Sequence, residues 1–253
     1  MIHTKAGFIC VATLSFYAAC ASGQSLGTAE NFAVLAGSTV TSTGPTVLEG
    51  HLGVFSGTAA TGFGPGIVIG TTHLGNAVAL QAQMDLTAAY TGFAGLPSTA
   101  NLTGTNLGGL TLFPGVYTFT SSAFLTGLLT LDALGDPNAR FVFQIGSTLI
   151  TAANASVVTI NGADGCDLFW QVGSSATLGA GTNFEGSILA QASITLVTGA
   201  SVREGRLLAR DGAVTLDSNV VSTICTPIPG PGAAAIFSAF AIGMMGKGRR
   251  RAR

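Results

Sequence analysis

Short aliphatic runs recur between small polar turns through much of the chain. In Ser193-Ile194-Thr195-Leu196 the aliphatics and the hydroxyls alternate, and Ala213-Val214-Thr215-Leu216 repeats the phase. A β-strand uses such a pattern because successive side chains leave opposite faces. ILAQASITLVTGASVREG from Ile188 is followed 19 residues later by LLARDGAVTLDSNVV from Leu207, and Phe169 of FWQVGSSATLGAGTNFEG lies 19 residues before Ile188. VLAGSTVTSTGPTVLEG from Val34 has the same order of short strand, small turn, short strand and glycine. Repeats this short cannot each build a core and gain one only by stacking. Gly181, Gly186, Gly199 and Gly205 suit the corners of such coils. The pattern predicts an all-β dominated β-helix. A β-sandwich is the alternative, but it gives less reason for similar words at near-constant spacing.

One region breaks the period. NAVALQAQMDLTAAYTGFAG, Asn76 to Gly95, is rich in Ala, Gln and Leu and poor in β-branched residues, which predicts a helix over about 76–92. Asn76 is its candidate cap, and Gly92, Gly95 and Pro97 are its stop signals. Leu80, Met84 and Ala88 form one apolar stripe and Leu86, Tyr90 and Phe93 a neighbouring one, so a broad apolar side is expected to be buried along one flank of the coil.

The two ends read differently from the body. MIHTKAGFICVATLSFYAACASGQS has Lys5, an apolar run and small residues around Ala21, the order of a secretory signal over residues 1–21. A buried first helix and a lipoprotein-type cleavage before Cys20 are the alternatives. Residues 227–253 run from a Pro/Gly hinge through the apolar Ala233–Met245 to KGRRRAR. Thirteen apolar or small residues are too few for a confident spanning helix, but they suit transient membrane contact with the basic end held inside. Between these ends lies a body of residues 24–226, expected to be secreted or associated with the cell surface.

Charge narrows the function classes. Only 8% of the residues are charged, against about 25% in ordinary soluble domains. The body has no lysine, and its four arginines face all eleven acids, so it offers no basic stripe for nucleic acid. Cys166 and Cys225 are its two cysteines, a candidate disulfide in an exported chain. A free pair or a metal pair is the alternative, although no CxxC or adjacent histidine completes a ligand set. His51 and His73 stand singly among Gly and Thr and are expected to be ordinary loop histidines, so no metal site is expected.

Several longer words carry a resemblance. LGTAENFAVLAGSTVTSTGPT from Leu26, GHLGVFSG from Gly50, TGFGPG from Thr61, ALQAQMDLTAAY from Ala79, GGLTLFPGVY from Gly108 and LTLDALGDPNARFVFQIGSTL from Leu129 resemble the microbial ice-binding family, also called DUF3494. LFWQVGSSATLGAGTNFEGSILA from Leu168 and LLARDGAVTLDSN from Leu207 extend the resemblance to about Val221. The tail is similar to PEP-CTERM sorting signals, except that Gly230 stands where their glutamate is usual.

The family resemblance implies a right-handed, three-sided β-helix with a long helix packed alongside, and an N-terminal coil placed among later ones. It also implies a flat face that binds ice, depresses freezing or restrains recrystallisation, and needs no cofactor. Alternation and the recurring words select the outward pairs Thr39 with Thr41, Thr148 with Ile150, Ser175 with Thr177, Ser193 with Thr195, and Ala213 with Thr215. Their expected partners are an ice surface and ordered water, and the protein is expected to be a monomer. Threonine's preference for strands is the plain alternative for each position. Arg203, Arg206, Arg210, Glu185, Glu204 and Asp211 are expected at edges or on other faces.

Two rival functions stay open at this point. An enzyme needs converging groups, yet Asp132 and Asp136 look like turn residues, Asp164 and Asp167 flank Cys166, and Asp211 with Asp217 is the best remaining acidic pair. No GxSxG elbow is present. A secreted envelope or adhesion module would also suit Thr- and Gly-rich coils, though Trp170 is the only tryptophan and its place in LFWQV predicts core packing.

Overall fold

The computed structural model describes residues 24–225. The signal and tail readings fall outside them, and among the described residues no helix is long and apolar enough to cross a membrane. Three parallel sheets of nine, seven and eight strands form the sides of a three-sided β-helix. Each coil contributes one strand to each sheet. The coil of residues 168–185, for example, runs through Leu168–Val172, Ala176–Leu178 and Asn183–Glu185.

The coils do not stack in chain order. Those spanning 115–132, 141–160, 168–185, 187–203 and 207–222 follow one another, and coil 32–49 then stacks on coil 207–222. The pairs Val34↔Leu207, Val40↔Val214 and Val47↔Val220 fix that junction. Coil 51–69 lies beyond it, so the first coil is held between the second and the last.

The spacing near residue 170 differs from the expected 19. Trp170 pairs with Ile188 and Val172 with Ala190, while Ile188 pairs with Leu207. The Phe169–Ile188 alignment is therefore one residue out, and a one-residue slip reverses the face. Phe169 packs towards the helix, whereas Trp170 enters the coil interior. There it is fully buried, stacks on Phe143 with ring centroids 3.9 Å apart, and donates its indole N–H to the Glu185 carbonyl at 3.1 Å. Register explains the stack: Tyr117, Phe143 and Trp170 occupy one column of adjacent strands.

The nine-stranded sheet is buried on both faces through its central strands. Its words FAVLA, FVFQI and LFWQV are buried at every position, as expected of parallel strands covered on both sides. The cover is the helix Ala77–Ala94. Asn76 caps it by accepting the Ala79 N–H at 3.0 Å. Gln144 closes the other end, donating to the carbonyls of Phe93 and Leu96 at 2.7 and 2.8 Å.

The helix buries a narrower side than expected. Ala79, Ala82, Leu86, Ala89 and Phe93 face the sheet, but Leu80 and Met84 are 38% and 57% exposed and Ala88 is also exposed. Alanines let the backbone approach Val142, Phe169, Leu189 and Leu208 closely, and the sheet covers only that stripe. Tyr90 lies at its edge, under the Arg210 guanidinium. Gly92 does not stop the helix. The Gln24 side-chain amide lies against it, in the space a Cβ would take.

A disulfide joins Cys166 to Cys225 across a separation of 59 residues, with Cα atoms 5.9 Å apart. It ties the end of the described chain to the body. Replacing both cysteines by serine is expected to lower unfolding stability by about 2–4 kcal/mol, measured by urea denaturation under oxidising conditions. Trp170→Ala should cost about 3–5 kcal/mol in the same assay, because it empties the centre of the aromatic stack.

Candidate functional site

The three sheets meet solvent differently. The helix covers the nine-stranded sheet. The eight-stranded sheet presents Glu185 beside Arg203, with Glu49 further along the stack. The seven-stranded sheet is bare, and its two central outward columns carry no charged residue.

All ten sequence-selected positions fall on these two columns. Register aligns Ile150 with Thr177, Thr177 with Thr195, Thr195 with Thr215 and Thr215 with Thr41. The neighbouring column contains Thr148, Ser175, Ser193, Ala213 and Thr39, each immediately preceding an inward-facing residue of the same strands. Parallel strands place members of a column about 4.8 Å apart, and the two columns about 6.7 Å apart along the strand.

The face is longer than those ten residues. Thr61 and Ala59 extend it past Thr41 and Thr39. Phe124 and Ser122 extend it past Ile150 and Thr148, and Asn106 bridges to Phe124. The sequence signal was available in the words Ser122-Ala123-Phe124-Leu125 and Ala59-Ala60-Thr61, which match the small–aliphatic–outward phase of Ser193-Ile194-Thr195. One column therefore reads Phe124, Ile150, Thr177, Thr195, Thr215, Thr41, Thr61, with aromatic and aliphatic side chains at one end and five consecutive threonines at the other.

Local hydrogen bonds hold this surface still. Ser175 Oγ accepts the Ser193 N–H and Ser193 Oγ accepts the Ala213 N–H, each at 3.3 Å. Ser122 and Thr148 hydroxyls meet at 2.7 Å, and Thr41 donates to Thr215 at 3.4 Å. Asp217 marks the face's margin beside Thr43. A short hydrogen bond from Thr198, with support from Thr43 and Ser218, holds its carboxyl below the usual range.

The other charged residues lie off the two columns. Arg206 is buried, donating to the Glu30 carbonyl at 2.7 Å. Arg210 and Asp211 sit at the preceding corner, both contacting Gln191. An open cavity of about 570 Å³ gathers Glu49, Asp164, Glu185 and Glu204 with Arg203, a convergence that sequence spacing did not reveal. Burial pushes the Asp164 and Glu185 carboxyls upward. Asp164 accepts the Cys166 N–H at 2.8 Å and Glu204 accepts the Gly165 N–H at 3.0 Å, so these groups brace the turn that carries the disulfide. The two sulfurs are bonded to each other and do not form a ligand set with Asp164.

Asp132 and Asp136 accept backbone N–H groups two residues ahead, as turn carboxylates do. Asp167 pairs with Arg140 at 2.9 Å. His51 and His73 depart from expectation. They are not isolated; their rings meet edge to face, 5.3 Å between centroids. Stacking coil 51–69 beneath strand Thr72–Leu74 brings them together across 22 residues of sequence.

Residues 34–222 match the family model described as Ice-binding-like. The chain belongs to this family. An ice-binding protein from Nostoc sp. (strain HG1) is 60% identical over 209 residues, covering 83% of this chain and 77% of its own. A solved ice-binding protein from an Antarctic biological consortium superposes with TM-score 0.76 at 49% identity, over 78% of this chain and 90% of its own. Another, from the Antarctic ascomycete Antarctomyces psychrotrophicus, gives TM-score 0.77 at 42% identity, over 79% and 98%. These solved relatives thus share the overall fold of this chain.

Because the folded state holds Asp217 ionised, its stabilising effect is present above the reference value of 3.8 and is lost as pH falls through the lower folded value. A carboxyl-resolved NMR titration should place its midpoint below 3.8, and Asp217→Asn should remove that part of the acid dependence.

Proposed function

We propose that the protein binds ice crystals through the bare seven-stranded sheet, giving thermal hysteresis, inhibition of ice recrystallisation, or both. The observation that carries this reading is the charge-free double column, above all the run Thr177, Thr195, Thr215, Thr41, Thr61. Threonine supplies a hydroxyl that hydrogen-bonds water and a methyl that orders water around it. Repeated on a rigid lattice, these groups hold a water layer that a growing ice plane incorporates. Each contact is weak, so adsorption depends on many acting together on one flat surface. Charged groups would orient water strongly towards themselves, and here they lie at the margin or on other faces.

No cofactor, nucleophile or proton transfer enters this mechanism, so we assign the chain no enzymatic role. Of the acids around the 570 Å³ cavity, Asp164 and Glu204 brace the disulfide turn. Ice grows outside the cell, and the expected signal over residues 1–21 fits a secreted or surface-associated monomer. The body of residues 24–226 does the binding, and the tail of residues 227–253 supplies sorting or transient membrane contact.

The test is ice-affinity uptake and thermal hysteresis of the purified protein beside Thr195→Tyr and Thr215→Tyr. Both variants should lose uptake sharply while unfolding stability stays within about 0.5 kcal/mol of the parent, since both side chains point outward from the coil. Asn183→Tyr, on the eight-stranded sheet, should retain it. Absence of uptake and crystal shaping by the folded parent would instead favour an envelope or adhesion role.

A further inference from the structure

The histidine pair lies where the outermost coil turns into the helix. His51 Nδ1 accepts the Thr71 N–H at 2.8 Å, and the Thr71 carbonyl accepts the Leu52 N–H at 3.1 Å. His73 Nδ1 lies 3.2 Å from Asn76 Nδ2. Asn76 Oδ1 is committed to the helix cap, so its amide N–H₂ faces His73 and His73 Nδ1 must accept. Both rings are therefore neutral, with the proton on Nε2.

Phe32 completes the cluster, its ring 5.6 and 5.7 Å from the two imidazoles. Gly53 makes room for it, since a Cβ there would strike the Phe32 ring. Charged groups on the adjoining elements are engaged elsewhere. Glu30 receives the Ser25 hydroxyl, Asp85 of the helix receives Thr28 and Gln81, and Glu49 lines the cavity on the third side. The titratable neighbour acting on His73 is His51.

We propose that His51 and His73 form a proton-operated clasp that holds the outer coil and the helix start in place when neutral and releases them when protonated. Adding a proton at Nδ1 of His51 removes the acceptor and sets N–H against the Thr71 N–H. The same step at His73 opposes Asn76 and loosens the cap on Ala79. Two cations in this cluster would also repel each other. Burial, then His51, holds His73 below its ordinary value, so the unfolded chain binds the proton more readily. Stability from this source is present above about pH 6.5 and is lost as pH falls through the lower folded value.

Release reaches the face proposed above, and this part of the inference rests on that reading. Gly75 donates to the Val54 carbonyl at 2.9 Å and packs against Thr58, which leads directly into Ala59 and Thr61. The clasp therefore controls the last rung of the threonine run.

Hydrogen exchange of the Thr71 and Ala79 amides, corrected for intrinsic rates, tests the clasp between pH 8 and pH 5. Protection should fall about tenfold for each unit by which the proton affinity of His73 differs between states. The double variant His51→Asn/His73→Asn keeps an acceptor near each Nδ1 position without titrating, so its protection should be flat. Flat protection in the parent, or pH dependence that survives in the variant, overturns the proposal. If the variant does not fold, the parent's imidazole titration and exchange profile decide alone. Ice uptake measured in parallel separates the two readings. Uptake that falls with the protection supports control of the face, and uptake unchanged while protection falls overturns that control. No uptake at any pH with titrating protection rejects ice binding and leaves the clasp standing.

Discussion

In-register stacking of parallel strands is the constraint on which the molecule depends. A backbone ladder repeats at about 4.8 Å, and every side chain must match the one above and below it. Inside the coil, matching produces the aromatic column of Tyr117, Phe143 and Trp170. Outside, the same matching produces the threonine run. Core and surface are thus two sides of one repeat, and a register slip would damage both together.

The three sides share this ladder but meet different surroundings. The helix takes up the apolar outward face of Val142, Phe169, Leu189 and Leu208, so that side is interior twice over. The side bearing Glu185, Arg203 and Glu49 carries the charged groups, and next to it Asp164 and Glu204 brace the disulfide turn. Among the described residues, the remaining side has no cover, and its only charge is Asp217 at the margin. Its small residues leave no ridge along the stack until Ile150 and Phe124, and hydroxyl-to-backbone hydrogen bonds restrict its motion.

Much of this was legible because strand alternation is strict. The words around Thr39, Thr148, Ser175, Ser193 and Ala213 carry their own facing, and all five pairs share one side. What escaped was set by tertiary placement. Fully buried words such as LFWQV do not alternate in polarity, so Phe169 and Trp170 could not be assigned to opposite faces from the text. Leu80 and Met84 have the hydrophobicity of core residues, yet the sheet runs out of surface to cover them. The histidine pair and the acidic cavity are assembled from separate coils, and no local spacing announces either.

The coil order bears on how the chain acquires its structure. Residues 32–49 have no neighbouring coil on one side until residues 207–222 have been made. A ribosome delivers the early segment first, so it must wait through most of synthesis for the edge that receives it. Closure over so long a loop is slow compared with local pairing. Thr41 and Thr61 ride on the late-docking segment, so the lattice presented to solvent reaches full length only after the carboxy-terminal coil exists. Its maturation is thereby coupled to completion of the polypeptide.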